Sequence, residues 1–280
     1  MNTTTTRKRQ GRSGIGRGLA IGFALVGAVT TGACERESTS PSGANDRVYG
    51  PEVALAQGTV RTYVQLEGGR PVELGIALSE SALEGLPGPH SPGGVTLPDG
   101  HHMYEYVLAM PERNPTPFRH VLIDWNPAGH VPPGIYDIPH FDFHFYTITD
   151  AERRTIDPTD PAFADKAARF PEAAQLPPDY VAIPDAAVPF MGAHWVNPAS
   201  PELHGETFTQ TFLYGTWDGK LIFAEPMITR DFLLSKPQFE TPLSVPQEFA
   251  VSGYYPDTYS IRWDAASREY RIALGGFALR

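Results

Sequence analysis

Short apolar segments rich in β-branched and aromatic residues, several alternating with polar ones, recur from residue 59 to the end of the chain. Residues 59–66 (TVRTYVQL), 72–78 (VELGIAL), 103–109 (MYEYVLA) and 119–125 (RHVLIDW) are of this kind, with Gly and Pro clusters between them, and each reads as a strand. The strictest alternation lies in 138–147 (IPHFDFHFYT), where three phenylalanines interleave with polar residues. Residues 207–215 (TFTQTFLYG) and 220–228 (KLIFAEPMI) flank Trp217-Asp218-Gly219, and Asp-Gly between two such segments is a hairpin signal. A second hairpin follows from TYSIRW and REYRIAL around Asp264 to Ser267.

Helical signals are few. SESALEGLP reads as a short helix capped by Ser79, and further helical stretches run over 150–154 and 160–170, the latter with Asp160 at the N-cap and Pro161 in its first turn. Nearly every element is thus a strand that meets its sequence neighbour. That predicts a mainly β fold, an antiparallel β-sandwich or barrel with a few short helices.

The first 33 residues follow another pattern. Five cations, Arg7, Lys8, Arg9, Arg12 and Arg17, precede the apolar run LAIGFALVGAV, which is a signal-peptide arrangement. That run is short of the roughly 20 residues a spanning helix needs, so a permanent transmembrane anchor is not expected. It ends in Thr31-Gly32-Ala33-Cys34, which resembles the lipobox of bacterial lipoproteins, where the cysteine is lipidated and becomes the new N-terminus. Thr31 departs from the leucine usual at its position, which leaves ordinary signal-peptidase cleavage nearby as the alternative. The expected organisation is a lipoprotein signal peptide over 1–33, a flexible Ser/Pro/Gly-rich tether over 34–47, and a single β-rich domain over 48–280.

Composition narrows the functions. Cys34 is the only cysteine, so intramolecular disulfides and Cys-based zinc sites are excluded. Removal of residues 1–33 leaves 17 of the 22 Lys and Arg against all 32 Asp and Glu, a formal balance of −15. Nucleic acid is a poor partner for such a surface. The membrane, reached through a lipid at Cys34, is the expected one, which places the protein in the cell envelope on the periplasmic or extracellular face. No GxSxG elbow, Walker loop, GxGxxG fingerprint or HExxH pair is present.

What chemistry there is gathers in PHFDFHFY. On a strand, His140, Asp142 and His144 face one side and Phe141, Phe143 and Phe145 the other. Residues two apart lie about 6.7 Å from each other and residues four apart about 13 Å. His140 and His144 therefore do not grip one ion together, whereas Asp142 can share an ion with either, or orient a ligand histidine from behind. Further ligands would come from His130 in the preceding turn, His194 in MGAHW, Glu225 in FAEPM, and Glu206 in HGETF. A mixed imidazole and carboxylate set suits a divalent Zn, Mn, Fe or Ni ion better than Ca or Cu(I). Each of these residues taken singly is more often a hydrogen-bonded core group than a ligand. His101 and His102, at a strand entrance beside Glu105, read as surface residues, and the four tryptophans as core and cavity wall.

Two stretches, WNPAGHVPPGIYDIPHFDFHFY at 125–146 and PPDYVAIPDAAVPFMGAHWVNPASPELHGETFTQTFLYGTWDGKLIFAEPMITRDFL at 177–233, resemble a family of uncharacterised exported bacterial proteins. It is a domain of unknown function whose founding structural member is a Thermus hypothetical protein. The resemblance implies a β-rich, extracytoplasmic protein that forms homo-oligomers and has no established activity. It encloses His130, His140, Asp142, His144, His194 and Glu225, while Asn197 stands where an aspartate is expected. Three functions follow in order: a lipoprotein that binds a metal or small ligand, a cupin-like metal-dependent enzyme, and a non-catalytic structural or interaction lipoprotein.

Overall fold

The computed structural model describes residues 46–280. The leader, Cys34 and most of the tether lie outside the described residues. Four strands open the fold: β1 (Asp46–Tyr49), β2 (Val53–Leu55), β3 (Gly58–Glu67) and β4 (Arg70–Ser79). The first therefore begins two residues before the expected domain start. Then come β5 (Val95–Thr96), β6 (His102–Ala109), β7 (His120–Asn126) and β8 (His140–Tyr146), and after an excursion β9 (Val181–Val188), β10 (Gly192–Val196), β11 (Gln210–Trp217) and β12 (Lys220–Thr229). The chain closes with β13 (Gln238–Pro242), β14 (Tyr254–Tyr255), β15 (Thr258–Asp264), β16 (Glu269–Gly275) and β17 (Ala278–Leu279).

Two large sheets result. One runs β1-β3-β4-β16-β15-β13 with β2 on the side of β3, and the other runs β5-β6-β7-β8-β12-β11-β10-β9; β14 and β17 pair separately. Every pairing is antiparallel. Both sheets end in open edges, so of the two expected architectures it is the sandwich that forms, not a closed barrel. Phe141, Phe143 and Phe145 of β8 enter the core between the sheets, with Val121, Ile123 and Trp125 from β7 and Val60, Leu74, Ile76, Ile261 and Ile272 from the opposite sheet. Burial of a phenylalanine side chain stabilises by about 1.5–3 kcal/mol, so the alternation in β8 anchors that strand at the middle of the second sheet.

The Asp-Gly hairpin forms as expected. Trp217 pairs with Lys220, and Asp218 and Gly219 take φ of 48° and 77°, the left-handed pair that a two-residue turn between twisted strands requires. Three helices are short: α1 (Asp150–Arg153), α2 (Phe163–Ala167) and α3 (Arg230–Leu234). α1 carries a capping box between Thr149 and Glu152. The stretch predicted as helix over 160–170 shrinks to α2 because Asp160 Oδ1 accepts from Ala162 N and opens a turn, while the hairpin amides of Asp218 and Gly219 take the carbonyls of Lys166 and Arg169. Ser79 does not cap either. Its hydroxyl accepts from Thr59 N, and Glu80–Leu83 becomes a 3₁₀ turn.

Strands β9, β10 and β13 had no clear signal. Pro184, Pro189 and Gly192 interrupt the pattern in the first two.

Candidate metal centre

The polar residues of β8 emerge on the outer face of the second sheet, away from the inter-sheet core. This face is not solvated. His140 and His144 are 0% exposed, and Asp142, Glu225 and His194 are buried with them. Residues from the segments 97–101, 130–136 and 158–163, with Ile183, Ala187 and Val188 of β9 and Pro189 and Met191 after it, cover it.

The six predicted residues are all brought to this face, but not around one point. His130, His140 and Asp142 form one triad and His144, His194 and Glu225 another, and in each triad the ligand atoms lie within 4.8 Å of one another. No residue belongs to both. Asp142 and His144 are two positions apart on β8, about 6.7 Å along the strand, so the triads are neighbours without a bridging carboxylate. Glu206, the other carboxylate named from sequence, is exposed and joins neither. Glu202 is the buried one in that turn, accepting from the Tyr136 hydroxyl at 3.1 Å.

The separations are informative. His140 Nε2 lies 3.2 Å from Asp142 Oδ1, His130 Nε2 3.4 Å from Asp142 Oδ2, His144 Nε2 3.4 Å from Glu225 Oε1, and His194 Nε2 3.6 Å from Glu225 Oε2. Donors bound about 2.1 Å from a tetrahedral ion stand about 3.4 Å apart, so these pairs match the edges of such a site. His140 Nε2, Asp142 Oδ1, both ring nitrogens of His144 and Glu225 Oε2 are buried and make no hydrogen bond. An unsatisfied buried polar atom costs about 1–3 kcal/mol, and several in one place point to a group that satisfies them together.

Imidazole orientation favours the same reading. His140 Nδ1 lies 2.6 Å from the Ile138 carbonyl and His130 Nδ1 2.7 Å from the Val131 carbonyl. A carbonyl only accepts, so both rings carry their proton on Nδ1 and turn the Nε2 lone pair toward Asp142 when neutral. For His144 a buried carboxylate stands in that place, Asp124 Oδ2 lying 3.2 Å from Nδ1 within ion-pair reach though without hydrogen-bond geometry. This is the arrangement in which a partner behind the ring fixes the tautomer and raises ligand basicity.

Charge divides the triads. Burial would push the Asp142 carboxyl up, but the adjacent His140 and His130 imidazoles outweigh it and hold the group well below its usual range. His130 moves the other way: burial would lower it, and the nearby Asp142 carboxylate raises it. That triad can therefore satisfy itself as an imidazolium and a carboxylate. In the second triad burial pushes Glu225 well up, helped by the charges of Asp142 and Asp124. Burial also takes His144 down to about 4, so its ring is neutral at pH 7, as a ligand must be. Asp124 is pushed well up by burial and by Glu105 and Asp142. A divalent cation would relieve all three.

Local packing holds the geometry. Phe223 stacks edgewise on His144 at 4.9 Å and tilts over His194 at 5.2 Å. Gly215 across the pair makes room for that ring, because a Cβ there would fall 1.9 Å from it. Gly129, at φ 69°, approaches the Tyr136 carbonyl so closely that a Cβ would sit 2.1 Å away, and the turn it closes delivers His130.

Several residues of the face were missed from sequence. Asp124 and Asn126 are polar positions in an otherwise apolar strand, which was the available signal. Asn126 donates to Asp142 Oδ2 at 2.7 Å and its oxygen meets His101 Nε2 at 2.8 Å. His101, expected at the surface, is thus half-buried against the site, with its ring 5.3 Å from that of His130. His102 is likewise half-buried but takes no part in the triads, its Nδ1 meeting the Thr96 hydroxyl at 2.8 Å. Arg153 is buried between Asp150 and Glu105, at 2.9 and 3.2 Å, and braces the adjoining wall.

His130, Asp142, His194 and Glu225 open onto a cavity of about 440 Å³ whose remaining wall is largely apolar. His140 and His144 lie behind them. Each triad therefore shows two of its three ligands to the cavity, the arrangement of a site with an open coordination position rather than a closed structural one. A second cavity of about 550 Å³, beside Phe118, Leu243 and Phe249, contains none of these groups.

No curated protein matches the chain, and no solved structure does. A family model does match, over β4 to β7 with the edge of β3. That stretch precedes the segments on which the resemblance was read, sharing only Trp125, and it holds Asp124 and His101 but none of the six triad residues. Residues 67–125 are similar to the TTHB210-like family, described as hypothetical protein TTHB210, and the likeness to an uncharacterised family stands on that stretch.

Proposed function

We propose that the protein is an exported lipoprotein, anchored in the cell envelope through Cys34, whose β-sandwich binds a divalent metal ion in buried imidazole and carboxylate triads open to a cavity. One observation carries the metal reading. Buried ligand atoms of four residues approach at tetrahedral-edge distances, yet several form no hydrogen bond, while His130 and His140 are tied from behind by backbone carbonyls. Zn, Mn, Fe or Ni fits this donor set best. Protein purified without a His tag and analysed by plasma mass spectrometry should contain one to two equivalents of such a metal. Substoichiometric metal that does not rise on reconstitution would sink the idea.

The location rests on the leader and on Cys34. Among the described residues no helix is long and apolar enough to cross a membrane. Labelling with a radioactive fatty acid should mark the chain, and Cys34→Ser should abolish the label; retention of it would exclude lipidation at that residue.

A second reading, a metal-dependent enzyme, is favoured by the cavity alone. An ion with an open position can polarise an oxygen of a substrate or lower the pKa of water.

A further inference from the structure

The cavity walls differ sharply from the triads at its floor. Away from His130, Asp142, His194 and Glu225 the lining is supplied mainly by Leu97, Met103, Met191, Leu213, Met227 and a set of prolines. Three of these are methionines, long unbranched side chains that adapt to the shape of what they touch. Of the charged groups that reach the space, Asp99 and His101 lie with the loop at 97–101, and the rest belong to the triads. At about 440 Å³ the space falls in the range that accommodates small organic molecules, and it is far larger than an ion with its water requires.

We infer that the cavity takes a small molecule with an apolar body and one oxygen-donor end, a carboxylate in the simplest case, which seats on the triad-bound ion while its body lies along the methionine and leucine wall. This deepens the metal reading and rests on it. The polarity of the pocket sets the orientation: the anionic end cannot rest against Leu97, Leu213 or the methionines without losing its hydration. At the floor the Asp142 carboxylate would repel it, and no cationic side chain outside the triads lines the cavity to hold it, unless a metal cation intervenes. The metal is thus what makes an acidic floor receptive to an oxygen anion, and the apolar wall is what distinguishes one such ligand from another.

Straight-chain carboxylates from acetate to octanoate, titrated by calorimetry into metal-loaded and metal-free protein, test this. Burying each added methylene contributes about 0.8 kcal/mol, so affinity for the loaded protein should rise about fourfold per methylene until the cavity is full. Met191→Trp, which fills part of the space, should flatten that rise while metal content stays as in the parent; Met191→Phe is a milder variant should the tryptophan disturb folding. Equal binding by the metal-free protein would overturn the inference, and so would affinities independent of chain length or no binding by loaded protein. Failure of the metal reading shows separately, as absent metal in the mass-spectrometric analysis, and the inference then falls with it.

Discussion

The outer faces of the two sheets carry charge in opposite ways. On the first sheet, Arg61 reaches Glu52 at 3.0 Å and Glu269 at 3.1 Å, Arg262 reaches Glu73 at 3.4 Å, and Tyr63 donates to Glu73 at 2.6 Å. Each carboxylate there meets a guanidinium or a hydroxyl, and water reaches the pairs. On the second sheet the carboxylates Asp124, Asp142 and Glu225 are covered and face imidazoles, with several atoms left unsatisfied. Burying a charge is costly unless it is neutralised by a partner, a proton or a metal. The first face solves this with guanidinium pairs that cost little; the second holds carboxylates whose unmet demand a cation would satisfy.

Both faces of β8 can be separated by experiment. Phe143→Ala, on the core side, should cost about 3–5 kcal/mol by urea unfolding, through lost burial and the cavity it leaves. Folded variant protein should keep its metal; if the metal leaves with the ring, the two faces of the strand are not independent. Next in size is metal removal itself. With free metal a hundredfold above its Kd, chelation should lower stability by about 2.7 kcal/mol, seen as a shift of the urea midpoint. An unmoved midpoint would make the second face no different from the first.

Asp124→Asn should weaken metal affinity about 10- to 100-fold with the far-ultraviolet circular dichroism spectrum unchanged, because the lost charge sits behind His144 and not on the ion. Unaltered affinity would reduce Asp124 to a packed core group. Affinity should also rise with pH. Glu225 and Asp124, with pKa values raised by burial, hold protons that the ion must displace, about tenfold in affinity per pH unit for each proton released. In metal-free protein, His144 works in the acid range: its pKa is depressed from 6.5 to about 4, so its contribution to stability is present above 6.5 and is lost as pH falls through that window. A metal affinity flat with pH, measured in a chelator-buffered titration, would contradict this. The smallest effect belongs to the first face, where Arg61→Ala should cost only about 0.2–1 kcal/mol and less at high salt, as expected of a partly exposed pair.

Much of this was legible in the order of residues. Alternation in PHFDFHFY required that three phenylalanines and the His-Asp-His set part company, and the Asp-Gly turn required the β11–β12 hairpin that places Glu225 beside β8. These follow from backbone periodicity and turn sterics, which act between near neighbours in the chain. The same periodicity kept His140 and His144 from sharing an ion, and the structure assigns them to different triads.

Tertiary structure alone decided the rest. Which histidine meets which carboxylate depends on the pairing of β7, β8 and β12 and on the turn that returns His130 to Asp142, contacts between positions far apart in sequence. Whether the polar face of β8 is wet or dry is set by the loops at 97–101 and 130–136 and by the β9 end that lie over it, and alternation carries no information about what covers a sheet. Hence His101 looked like a surface residue, and Asp124 and Asn126 passed unremarked. Periodicity fixes the side to which a side chain points; only the packing of distant segments fixes what it finds there.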